Sequence, residues 1–346
     1  MKADKHLQAV LLICMVGAAG TGATGTAMAQ TVSLNYDRLS SLEEPLATEI
    51  GDVTILLNGL MDTPVSLDLD DDGNTNEGFI GNFQLSAATQ LPNRWRVNLA
   101  YFGQYAAEPD LTVDMHDHFM DNVALSVGGA WGTLLGGNLS GVVREQTRRL
   151  RGAGNGFLAF DNAFGGLEHW GGGYLGRFGP VVMSAVVDEE TNFDLGAMFQ
   201  RPLGTRDYRF TARYTQGTYT PANTTYQYDT RAAGLVGELV YGSALFDIGV
   251  GYEHFSAMLL PDADQWYISS GARLKIRALT LSVEGHYGQF EGEDKLSAAL
   301  GIQYDVARGL SANLGLNHED AQADVGDVHF INTKDTKAVL SMRYSF

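Results

Sequence analysis

The sequence predicts an all-β protein, a transmembrane antiparallel β-barrel of about sixteen strands, and three observations carry that expectation. From Gly51 onward, segments of about ten residues alternate apolar with polar side chains, which gives a strand one face of each kind. An export signal opens the chain, yet no later apolar run approaches the roughly 18 residues that a spanning helix needs. The connections between segments are short and long by turns, as they are when all the tight turns lie at one end of a barrel.

Residues 1–29 carry Lys2 and Lys5, an apolar run from Leu7 to Ala19, and Ala27-Met28-Ala29 before Gln30, the pattern of a cleaved secretory signal. Cys14 lies inside that run, and Ile13 before it is too large for a lipoprotein processing site. Removing 1–29 takes away Lys2, Lys5 and Asp4. That leaves 21 basic and 40 acidic residues, a charge of −19 on 317 residues, and no cysteine. An exported chain without disulfides is held by its own hydrogen bonds and burial or by a membrane. Its acidity argues against nucleic acid as a partner. Residues 30–50 form either a periplasmic extension or the lead-in to the first strand, and 51–346 form the barrel.

The first segment, 52–61, leads into an acidic connection. The next two, 79–91 and 94–105, read as a hairpin about Pro92-Asn93. Phe79, Phe83, Leu85, Val97, Leu99 and Tyr101 share one face, and Asn82, Gln84, Ser86, Arg96 and Asn98 the other. Segments 121–130 and 132–139 form a second tight hairpin, followed by the longest connection, 140–172. Then come 169–178, 180–188, 192–201, 206–218, 229–242, 244–256, 264–275, 277–290, 294–306 and 309–319, in which Gly, Ser, Asn, Gln and charges oppose the apolar set. Aromatic residues cluster near segment ends, among them Trp95, Tyr105, Tyr208, Tyr241, Tyr252, Trp266, Tyr287, Tyr304 and Tyr344, as in the two interfacial girdles of a membrane barrel.

The chain ends inside its last segment, 336–346, where Ala338, Leu340, Met342, Tyr344 and Phe346 form one face. Closure requires that segment to pair with the first, because an open edge is not tolerated in lipid. Tyr344 and the terminal Phe346 resemble the C-terminal β-signal of Gram-negative outer-membrane proteins, which by that resemblance is read by the barrel-assembly machinery. The stretch "ALSVGGAWGTLLGGNLSG" resembles the hairpin before loop three of the trimeric general porins, notably those of photosynthetic alphaproteobacteria. The resemblance implies a homotrimer in the outer membrane, in contact with lipid and lipopolysaccharide, in which loop three folds inward and narrows the channel.

In this chain that loop holds Arg144, Glu145, Arg148, Arg149, Arg151, Asp161 and Glu168, the expected constriction. The porins it resembles place acids on loop three against basic residues of the wall, whereas this loop is rich in arginine. Inward wall positions offer Arg96, Arg209, Arg213, Arg273 and Arg343, with Asp194, Asp247, Glu253 and Glu284. No cofactor is expected beyond a calcium reading of one loop: Asp68, Asp70, Asp72, Asn74 and Asn76 have the spacing of calcium ligands, but Phe79 stands where a bidentate Glu belongs. A solvated acidic external loop is the other reading. His116 and His118 lie two apart with no third ligand at a telling spacing.

The function expected is passive diffusion of small hydrophilic solutes and ions through a water-filled lumen, with no enzymatic turnover. The alternatives are a substrate-specific porin with a solute-binding site, and a barrel hydrolase, which needs Ser/His or Asp/His sets converging at one barrel end. About twenty residues ahead of the barrel are too few for the plug of a TonB-dependent receptor.

Overall fold

Alternation along each strand decides the architecture, since a sheet with one apolar and one polar face can enclose a polar lumen only by closing on itself. The computed structural model describes residues 46–70, 75–107, 118–139, 142–156, 170–219, 228–257, 260–325 and 328–346. Residues 1–29, the expected signal, and residues 30–45 lie outside the described residues.

The strands are β1 (Leu46–Ile50), β2 (Val53–Asp68), β3 (Thr75–Glu77), β4 (Phe79–Gln90), β5 (Arg96–Ala107), β6 (His118–Gly129), β7 (Gly132–Asn138), β8 (Trp170–Phe178) and β9 (Val181–Asp188). There follow β10 (Phe193–Leu203), β11 (Arg206–Tyr219), β12 (Tyr228–Tyr241), β13 (Ala244–Ala257), β14 (Leu260–Ile276), β15 (Leu279–Phe290), β16 (Glu293–Ala307), β17 (Leu310–Val325) and β18 (Val328–Ser345). One short helix, α1 (Val142–Thr147), lies in the long connection after β7. No helix among the described residues is long and apolar enough to cross a membrane.

Setting aside β1 and β3, sixteen strands pair antiparallel in sequence order, and β18 returns to β2, so the barrel is closed. The pairing of β18 with β2 runs from Lys337↔Asp68 to Ser345↔Leu60. Beyond that point β1 takes over the same edge of β2, from Leu46↔Leu57 to Ile50↔Val53. Residues 46–50 thus add a strand segment at the seam without changing the count. Several strands outrun their expected bounds: the first reaches Asp68, and the last two span Leu310–Val325 and Val328–Ser345.

The apolar set of the alternating strands faces outward. On β16, Leu296, Leu300 and Ile302 are exposed while Ser297, Ala299 and Gly301 are buried. Exposed aromatics form two rings. Trp95, Trp131, Tyr241, Tyr304 and Tyr344 stand near the short turns, and Tyr105, Trp170, Tyr252, Trp266 and Tyr287 near the opposite ends. An apolar band between two amphipathic girdles is a surface made for a bilayer.

Leu300, 51% exposed, lies opposite Val283 and Leu316, midway between Tyr304 and Leu296 on its strand. Leu300→Arg is expected to destabilise the assembled barrel by about 2 to 4 kcal/mol, since it puts a charge near the bilayer midplane. Gln303→Arg, on the inward face of the same strand beside Asp305, is expected to leave assembly intact. Equal loss of heat-modifiable barrel in both variants would refute the assignment of faces.

Candidate functional site

An acidic row on the inner wall sets the problem that the long connection solves. Arg209, Glu238, Asp247, Gly271 and Glu284 lie directly across from one another on successive strands β11 to β15, all facing inward. Glu238 and Asp247 are therefore like charges at opposed positions, which is destabilising unless cations intervene. Arg209 serves Glu238 from its own strand. The remaining compensation comes from residues 148–156, which run along the inside of the wall as a strap.

The strap is rooted by burial of apolar side chains. Leu139, Val142 and Val143 pack inside the barrel against Ala100, Phe102, Ala124, Leu135, Leu175 and Val186 of β5 to β9. Helix α1 lies on β9, β10 and β11, with Val143 and Thr147 over Gly196, where a Cβ would come within 2.7 Å of Val143. Six residues leave a helix with unsatisfied carbonyls at its end. Arg209 takes two of them, donating from Nη2 to the carbonyl of Gln146 (2.7 Å) and from Nη1 to that of Arg148 (2.8 Å), and Glu238 accepts from the amide of Leu150 (2.7 Å). A cation at a helix C-terminus is also favoured by the helix dipole.

Arg149 and Arg151 then meet the acidic row. Both donate to one oxygen of Asp247, at 2.9 and 2.7 Å, and Arg151 Nε donates to Glu284 at 3.0 Å. The three side chains at Asp247 are at most 3% exposed, so these are buried, charge-assisted bonds that salt screens little. Glycines make room for them. A Cβ on Gly249 would collide with the Arg149 guanidinium, and one on Gly271 would lie 2.6 Å from Arg151 Cδ.

The strap ends in a turn, with Gly156 N donating to Ala153 O and Gly154 in the left-handed region at φ 57°. This turn sits on β16 and β17, where side chains at Gly301 and Gly315 would run into the backbone of Ala153 and Asn155. Asn155 fastens it: its Nδ2 donates to Ser341 Oγ, its Oδ1 accepts from Arg343, and its carbonyl accepts from Asn317 Nδ2, each at 3.0 Å. Arg343 is also paired with Asp62, directly opposite it across the closing seam of β18 and β2, at 2.6 Å.

The structure therefore distributes the expected site residues as follows. Arg149 and Arg151 lie on the strap, buried in wall pairs, and Arg148 is half-buried beside them. Arg144 and Glu145 belong to α1, and Asp161 and Glu168 lie outside the described residues. Of the wall residues, Arg209, Arg213 and Arg343 are buried and paired, with Arg213 donating to Asp194 at 2.7 Å. Arg96 and Arg273 face inward, half-buried, with no ion pair among the described residues. Sequence reasoning named Asp194, Asp247 and Glu284 but missed Asp62, Glu238, Asn155 and the inward glycines. Glycine recurring on the polar face was the available signal, and it read only as barrel composition.

In the acidic loop, Asp68 Oδ1 accepts from the amide of Asp70 at 2.9 Å, Asn76 lies on β3, and Asp72 and Asn74 lie outside the described residues. Among the described residues no group of three or more His, Cys, Asp or Glu side chains is placed to hold a metal. His116 lies outside them as well, and His118 opens β6. His254 pairs with Asp264 at 2.7 Å on the exposed outer face, where the hydroxyl of Tyr252 also donates to that carboxylate.

No family model matches this sequence, and no curated protein matches it. Solved structures do match. OmpT of Vibrio cholerae, an outer membrane protein in its trimer form, is 16% identical with a TM-score of 0.61 over 85% of this chain and 99% of that one. The anion-selective porin from Comamonas acidovorans is 14% identical, with a TM-score of 0.60 over 85% and 100%. OmpF of Salmonella typhi, in complex with daunomycin, is 10% identical, with a TM-score of 0.62 over 87% and 100%. The fold is that of outer-membrane barrels of Gram-negative bacteria, general porins among them.

Proposed function

We propose that this chain is a general porin of the alphaproteobacterial type: a homotrimeric outer-membrane channel passing small hydrophilic solutes and ions by passive diffusion, without turnover. One observation carries the reading. After β7, residues 142–156 lie inside the barrel, packed on β9 and β10 and bonded along the polar inner wall from β11 to β18, an arrangement that narrows a lumen while leaving the outer apolar band undisturbed. A hydrolase would instead need converging catalytic side chains, and the described His–carboxylate pair stands outside the barrel.

In this reading the short turns face the periplasm and the opposite ends meet lipopolysaccharide, with Tyr344 and Phe346 presented to the barrel-assembly machinery. Purified protein added to a planar bilayer is expected to give stepwise, voltage-tolerant conductance in groups of three. Folded protein that produces no steps overturns the channel, and steps that are only single overturn the trimer.

A further inference from the structure

If the barrel is a channel as proposed above, its ion preference depends on which lumen charges are left uncompensated. The five buried inward arginines match five of the acids, and a sixth buried inward acid, Glu253, lies within electrostatic reach of the buried Lys295. Arg149 and Arg151 share Asp247 and Glu284, Arg209 holds Glu238, Arg213 holds Asp194, and Arg343 holds Asp62. Such pairs leave dipoles, whose fields fall off faster than that of a charge.

Arg273 differs. It is the inward residue next to Gly271 on the turn side of the strap, and the residues directly across from it, Leu245 and Ser282, are neutral. The next inward cation toward the turns, Lys275, is paired with Asp305 at 3.4 Å. Arg273 is half-buried, and the groups in electrostatic reach of it are Arg148 on the strap and Glu238, whose carboxylate already holds Arg209. Arginine keeps its charge at any physiological pH.

We infer that Arg273 is the ion-selecting position of the lumen and makes the channel favour small anions, with chloride, phosphate and carboxylates as the permeant class. The strap supplies the reason that this position counts: it lies across from the guanidinium, with Arg148 in electrostatic reach, so an ion passing between strap and wall would pass close to Arg273. The polarity is opposite to loop acids facing a basic wall, because here Asp247 and Glu284 of the wall hold arginines of the loop.

Reversal potentials in a potassium chloride gradient test it on the intact, heat-modifiable protein. The parent is expected to favour chloride. A single charge a few ångströms from the ion path changes local ion concentration about two- to fourfold, so Arg273→Gln is expected to lower the chloride-to-potassium permeability ratio by about that factor at low salt and by less at 1 M, roughly, as screening sets in. Arg273→Lys is expected to keep the parent ratio, which a merely structural role for the guanidinium would not predict. A conducting Arg273→Gln channel with an unchanged ratio overturns the assignment alone. A folded parent that never conducts overturns the channel reading, and with it this one.

Discussion

A chain lacking Phe346 is expected to be exported and then to accumulate almost no folded barrel. The last residue makes a closed pair of backbone hydrogen bonds with Gly59, Gly59 N to Phe346 O at 2.8 Å and Phe346 N to Gly59 O at 3.0 Å. Deleting it frees both groups of Gly59 on a strand that β1 pairs only as far as Leu57, and an unpaired backbone group facing lipid costs several kcal/mol, roughly the margin by which a domain is stable. The ring also packs against Tyr344 at 6.0 Å and covers Gly59, where a Cβ would approach it to 2.7 Å. The heat-modifiable form in outer-membrane fractions is the readout, and normal levels of it in the truncated chain would sink the seam argument. Gly59→Val separates two causes, because it displaces the ring while keeping Phe346 as the last residue, available to the assembly machinery proposed above to read it. A defect there as well assigns the loss to the seam.

Asp247→Ala is expected to release the strap while sparing the barrel. Removing one partner from a buried ion pair costs about 3 to 5 kcal/mol, and here one carboxylate serves two arginines. Glu284 remains for Arg151, whereas Arg149 loses the carboxylate to which it donates at 2.9 Å. Both arginines belong to the strap rather than to a strand, so the strain is relieved by lifting 148–156 into the lumen, not by unzipping the wall. Residues 30–346 contain no cysteine, so a single Ala153→Cys, buried at 3% exposure, reports the event cleanly. Its reaction with a small maleimide is expected to quicken at least tenfold in the Asp247→Ala background, with conductance larger and noisier. Equal labelling rates in a folded variant would show that the strap does not depend on Asp247.

The two halves of the molecule were unequally legible because they rest on interactions of different range. Faces, strand number and closure are periodic properties of local sequence: Leu296, Leu300 and Ile302 against Ser297 and Gly301 declare a membrane wall without reference to any other strand. Alternation fell short at several strand ends, among them the far ends of β2, β17 and β18, where "EDAQADV" and "VHFINTKD" are polar or mixed on both faces. The long connection was recognisable by length and by its arginines, and its inward course followed from a family resemblance. Its docking was not readable. Arg149 meets Asp247 across 98 residues, and Asn155 meets Arg343 across 188. Which strands stand side by side, and at what register, decides that Glu238, Asp247 and Glu284 fall into one row with a glycine gap between them. So the sequence by itself determined a closed barrel with an apolar outside and a charged inside. Only the tertiary structure decided which of those charges cancel, because compensation depends on distances of a few ångströms that no period in the chain records.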